Sequence, residues 1–314
     1  MTQDRRRILF AALAAVLLFV IGSIVRPGFA SPDSIAAVLV VASFVGLVAA
    51  GQMFVILIGG IDLSVPWVLN GAAILMVTSS LGQDSRAIWG LALTLGMGLV
   101  VGAVNGLGIA LFNVPAVVMT LAMNGIMQGL TLGFSGGMTC NACASYAPPV
   151  VQAAAHASLL GIPAALWVWL AVAIVVSVVL SLTGFGRRTY AVGTNARASY
   201  LAGIDVAATT VALYALSGFF SAAAGIMLVG FGGQAALGMG DPYLFQSIAA
   251  VVIGGVAILG GRGHYIGVVA GTISLVTLVS VLLALNMPQY GRSIIYGVII
   301  LALLLLYGRE GREA

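Results

Sequence analysis

Apolar residues come in long blocks, and the short polar stretches between them hold almost every charge. The blocks run over 8–25, 35–58, 65–81, 87–112, 115–135, 162–183, 206–231, 244–259, 265–285 and 293–307. A helix rises 1.5 Å per residue, so blocks near twenty residues match a hydrocarbon core about 30 Å thick. The pattern predicts an all-α, polytopic membrane protein of about ten transmembrane helices, with 1–314 as one membrane domain. The first block follows Arg5-Arg6-Arg7 and resembles a signal peptide with Phe29-Ala30 as a poor cleavage site. It exceeds the roughly 7–15 apolar residues of a signal core, so it is read as a retained first span.

Composition agrees with the pattern and removes several functions. Hydrophobic residues make up 61% of the chain and charged residues 6%, against roughly 25% charged in soluble domains. All 12 basic residues are arginine. Without lysine the chain has neither a Walker A phosphate loop nor a Schiff-base amine, so any ATP hydrolysis belongs to another polypeptide. The net charge of +4 comes from arginines scattered at block ends, which argues for membrane topology and against nucleic acid. If the spans alternate from a cytoplasmic N-terminus, nine arginines fall inside and three (Arg26, Arg86 and Arg292) outside. The positive-inside rule then puts both termini and the segment 187–205 in the cytoplasm, and the loop 136–161 outside.

That outer loop holds Cys140-Asn141-Ala142-Cys143, Pro148-Pro149 and His156. Its two cysteines are either free or joined in a local disulfide, and a metal would need more ligands than His156 adds. No chemistry is assigned to it, and no cofactor, metal or catalytic group is expected anywhere in the chain.

Polar residues within the blocks are the candidate site. Asp62 lies in Gly59-Gly60-Ile61-Asp62-Leu63-Ser64-Val65-Pro66, a string that ends one helix and starts another. Asp62 and Ser64 either cap the new helix or line a substrate path, because an ionisable group near membrane depth is costly unless it faces water or a partner. Thr120, Asn124 and Gln128 recur every four residues and form one stripe on a helix. They either bond a neighbouring helix or give a polar solute its donors and acceptors. Asn105 joins this set, with Asn70 and Gln52 as weaker additions. Gly98, Gly102 and Gly106 read as a helix-packing stripe.

The segment 187–205 interrupts the apolar pattern most clearly. Asn195 suits an N-cap, Gly203 a helix end and Asp205 the cap of the next span, so 196–202 predicts about two helical turns. Such a helix either docks a soluble partner or lies flat on the membrane surface. Gly193-Thr194-Asn195-Ala196-Arg197-Ala198, continued by Ala202-Gly203-Ile204, resembles the cytoplasmic coupling motif of the ribose-type permeases of bacterial ABC importers. Gly59-Gly60-Ile61-Asp62-Leu63-Ser64 is similar to another motif of that family. So are Asn113-Val114-Pro115 with Thr120-Leu121, and Ala249-Ala250-Val251-Val252-Ile253-Gly254-Gly255 with Gly260-Gly261.

The resemblance runs the length of the chain and implies a type II importer permease of the bacterial inner membrane. It implies a second permease subunit, ATP-binding subunits that engage Gly193, Asn195, Arg197, Ala198, Ala202 and Gly203, and a periplasmic sugar-binding protein. The implied cargo is a monosaccharide, a pentose or furanose hexose. Within the family, branched-chain amino acids or an autoinducer are the alternatives. The chain departs from many members at Pro66-Trp67, at Gln128 in place of arginine, and at Phe245-Gln246-Ser247 in place of an acidic position, so its path is less charged. An ion-coupled carrier would need more intramembrane ionisable groups than Asp62. A membrane enzyme would need clustered His, Glu or Asp.

Overall fold

The computed structural model describes residues 3–137 and 146–310; Cys140 and Cys143 lie outside them. The described residues are mostly helical. The helices are α1 (Gln3–Val25), α2 (Pro32–Ile56), α3 (Val65–Ser80), α4 (Ala87–Phe112), α5 (Ala116–Phe134), α6 (Pro149–His156), α7 (Ala164–Leu182), α8 (Gly184–Thr194), α9 (Ala196–Leu201), α10 (Val206–Gly232), α11 (Asp241–Ile253), α12 (Tyr265–Ala284) and α13 (Gln289–Glu310). Seven of these (α1, α2, α4, α5, α7, α10 and α12) are long and apolar enough to cross a membrane. With α13 and the shorter apolar α3 and α11, they account for the ten apolar blocks of the sequence.

Helix ends follow local chemistry. Ser31 Oγ accepts from Ser34 N at 3.2 Å ahead of Pro32, a residue suited to a first turn. α4 ends at Asn113 with φ 52°, and α12 is followed by Asn286 with φ 56°. Each of these asparagines is followed by X-Pro, which cannot continue the helix; asparagine tolerates the left-handed turn better than most residues. The block 244–259 is helical only to Ile253. Beyond it Gly255, Gly260, Gly261 and Gly263 all have positive φ, so the chain turns through a glycine-built loop rather than extending the span.

α2 is the central helix, with the whole stretch from Ala42 to Ile56 buried. It is ringed by α7, α10, α11 and α12, while α1 packs on α12, α5 on α3, and α13 on α11. A polar relay ties three of these: Trp169 Nε1 donates to Tyr265 Oη at 3.2 Å, and Tyr265 Oη donates to Gly46 O at 2.8 Å. α4 lies directly on α10. A Cβ at Gly98 or Gly102 would collide with the backbone of Gly218 or Tyr214, and one at Gly106 would come within 2.5 Å of Val211 Cα. The glycine stripe is therefore a packing device, as its spacing predicts.

The described part of the outer loop, 146–161, carries structure of its own. α6 lies in it, and Ser158–Leu159 (β1) pairs antiparallel with Ile162–Pro163 (β2). Ala147 N donates to Gly233 O at 3.0 Å and Val150 N to Asp84 Oδ1 at 2.8 Å, strapping it across this end of the bundle. His156 stacks on Phe231, with ring centroids 5.1 Å apart.

Candidate functional site

Between α2 and α3 the chain leaves helical geometry for the residues 57–64. Gly59 has φ +75°, and a side chain on Gly60 would collide with Tyr214 Oη. The turn carries Asp62 into the protein, where it is 1% exposed. Asp62 Oδ1 accepts from Ser64 N at 2.9 Å and from Ser64 Oγ, and Oδ2 accepts from Ser217 Oγ of α10 at 2.7 Å. Asn105 Nδ2 of α4 donates to Ser64 Oγ at 3.0 Å. The Gln52 amide, oriented to satisfy its own atoms, donates to Asp62 O at 3.2 Å and accepts from Asp62 N at 3.3 Å. Thr120 Oγ1 of α5 reaches Ile61 O at 3.3 Å while also bonding Ala116 O at 2.8 Å.

This arrangement places Asp62 inside the protein. Ser64 makes no side-chain cap bond to α3, and the Asp62 carboxylate turns back on Ser64 and across to α10. The group is thus a buried junction of α2, α3, α4 and α10, not a solvated turn cap. Its donors are neutral hydroxyl, amide and backbone groups. Sequence reading missed Ser217 and Tyr214. Both sit within the apolar block 206–231 at i, i+3 spacing, and that pairing of polar positions on one helical face was the available signal.

The stripe on α5 divides. Thr120 is buried in the junction, Asn124 is half-buried with Oδ1 unpartnered, and Gln128 is exposed. Met123, Met127 and Thr131, one position round the helix, face α3 and are buried. Gly125, Gly129 and Gly133 have open space where a Cβ would stand. Asn70 of α3 is fully buried with neither amide atom partnered among the described residues, and Thr94 Oγ1, Asn105 Oδ1 and Tyr214 Oη are likewise unpartnered.

The segment 187–205 contains the expected caps and more helix than expected. Asn195 Oδ1 accepts from Ala198 N at 2.9 Å to start α9, and Asp205 Oδ1 accepts from Ala208 N at 2.8 Å to start α10. Gly203 has φ +83°, a turn that favours glycine. α9 buries only Ser199; Ala198 and Ala202 are exposed, and so are the large side chains Tyr200 (71%) and Leu201 (78%). Ahead of it lies α8, capped by Thr183 Oγ1, which accepts from Gly186 N at 3.3 Å. At the end of α8, a Cβ on Gly193 would strike Leu57 O and approach Gly261 N to 2.7 Å. Gly261 N itself donates to Leu57 O at 2.8 Å. The α8–α9 segment, the turn before Asp62 and the glycine loop after α11 therefore meet backbone to backbone.

A bundle of this kind, with a polar junction in its interior and a capped helix standing out from one end, is that of a multi-pass membrane permease. The family model described as branched-chain amino acid transport system / permease component matches residues 34–304, and the chain belongs to that family. It is similar to the ribose import permease protein RbsC of Bacillus subtilis, 35% identical over 94% of this chain and 90% of the relative. The RbsC of Haemophilus influenzae is 32% identical over 93% of this chain and 90% of its own. The autoinducer 2 import system permease protein LsrC of Escherichia coli is 32% identical over 98% of this chain and 88% of its own. No solved structure matches the chain.

Proposed function

We propose that this chain is the membrane subunit of an ATP-driven importer for a monosaccharide, working with a second permease, ATPase subunits and a periplasmic binding protein. The observation that carries the reading is the backbone contact of Gly193 with Leu57. It joins a helix with exposed Tyr200 and Leu201, suited to a soluble partner, to the turn that holds the Asp62 junction. An ATPase gripping Asn195, Arg197, Ala198, Ala202 and Gly203 would move the end of α8, and Gly193 would pass that movement to residues 57–64. Asp62, Ser64, Asn105 and Thr120 then act as a gate held shut by hydrogen bonds between helices. Half-buried Asn124 and exposed Gln128 of α5 offer the neutral amides a sugar needs, with the second permease opposite them. Both termini and α9 belong on the cytoplasmic side and α6 on the outer side, in keeping with the arginine distribution.

The test is reconstitution of the complete importer in proteoliposomes. Replacing Asn124 and Gln128 together by leucine removes two amide partners, each worth about 0.6–1.7 kcal/mol in a membrane protein, and uptake should fall about tenfold. ATPase co-purification should stay at the wild-type level. Unchanged uptake would remove both residues from the path. Autoinducer uptake is a second reading, favoured by the similarity to LsrC over 98% of the chain. A thermal-shift screen of the cognate binding protein with pentoses, hexoses and autoinducer 2 separates the two.

A further inference from the structure

A cavity of about 400 Å³ opens where α7 passes into α8, between α1, α7, α8 and α12. Ile8, Leu180 and Ile266 give it apolar lining, and Ser181, Arg187, Tyr190 and His264 give it polar lining. It differs from the cavity of about 320 Å³ under α6, whose lining is entirely apolar. Arg187 comes five residues after the end of α7, at the level where that membrane helix gives way to the polar segment. No carboxylate is among the lining residues.

We propose that this cavity binds one anionic phospholipid, its phosphodiester against Arg187 and an acyl chain over Ile8, Leu180 and Ile266. At the membrane surface such a cavity meets lipid, and the occupant that suits its lining combines a chain-like apolar body with an anionic head. A basic residue near the membrane surface contributes about 1 kcal/mol toward an anionic headgroup. Arg187 stands one turn into α8 and eight residues before Asn195, the N-cap of α9. The bound lipid therefore steadies the root of the segment that reaches Gly193. On the orientation proposed above this is the cytoplasmic leaflet, but the binding itself requires no assumption about cargo or ATPase.

The purified full-length chain in nonionic detergent, stripped of lipid, is titrated with dioleoyl phosphatidylglycerol and its unfolding midpoint followed. Phosphatidylglycerol should raise the midpoint saturably, while phosphatidylcholine and inorganic phosphate leave it in place. Arg187→Gln should raise the half-saturating concentration about fivefold, and Ser181→Trp, which fills the cavity, should abolish the response. Arg188→Gln, outside the lining, should match wild type. An equal response to phosphatidylcholine, or an equal loss in Arg188→Gln, would overturn a defined anionic site. An equal response to inorganic phosphate would overturn the lipid in favour of a phosphate site. An Arg187→Gln chain that binds phosphatidylglycerol normally yet fails to co-purify the ATPase would assign the cavity to that partner instead.

Discussion

Removing the Ser217 hydroxyl would leave Asp62 Oδ2 buried without the donor it has at 2.7 Å. Leaving a buried acceptor without its donor costs about 1–3 kcal/mol. Ser217→Ala should therefore lower the unfolding midpoint in detergent, and Ser217→Thr, which keeps a hydroxyl there, should recover most of the loss. Asn70 poses the opposite case. Its buried amide has no partner among the described residues, and leaving a polar group so costs about 1–3 kcal/mol. Asn70→Leu, similar in size and apolar, should raise the midpoint. If uptake also falls, the amide serves transport at the expense of stability. Asp62, Ser64 and Asn105 were legible in the sequence because acids and amides are rare in apolar blocks. Ser217 was not, since a serine in a membrane helix commonly satisfies itself on the preceding turn, as Ser221 does on Ser217 O at 2.9 Å.

Helices divide into those whose small residues are in use and those whose small residues are bare. Gly102 of α4 lies against the α10 backbone at Tyr214, whereas nothing lies within 4 Å of a Cβ at Gly129 of α5. Gly102→Leu should prevent α4 from seating, a loss of more than about 3 kcal/mol seen as aggregation during size-exclusion chromatography. Gly129→Leu should leave the unfolding midpoint of the isolated chain unchanged and weaken pairing with the second permease, measured by crosslinking in membranes. Element identity was largely legible, because block length and hydropathy decide it before packing does. α8 was not. Gly184, Gly186 and Gly193 oppose helix on propensity alone, and the helix forms because its buried face, Gly186, Thr189 and Val192, packs into the bundle. The early end of α11 was also hidden, since a glycine pair reads equally as close packing or as a stop.

Across the whole molecule, the all-α, multi-span character followed from the blocks, while the arrangement around α2 did not, because hydropathy says which segments are apolar enough for the membrane and nothing of their neighbours. The meeting of Gly193, Leu57 and Gly261 is of this second kind, for its three segments are far apart in the chain. Gly193→Ala should force that contact apart. The reconstituted importer should then hydrolyse ATP while uptake per ATP drops, and an unaltered ratio of the two rates would show that the force travels elsewhere. The outer strap, where Val150 N is held by Asp84 Oδ1 and Ala147 N by Gly233 O, completes the comparison. One end of the bundle is tied by bonds across three segments, and at the other the segments meet backbone to backbone, with Gly261 N bonded to Leu57 O. If the ATPase proposed above grips α9, the strapped end is the fulcrum and the larger displacement falls at the α8–α9 end.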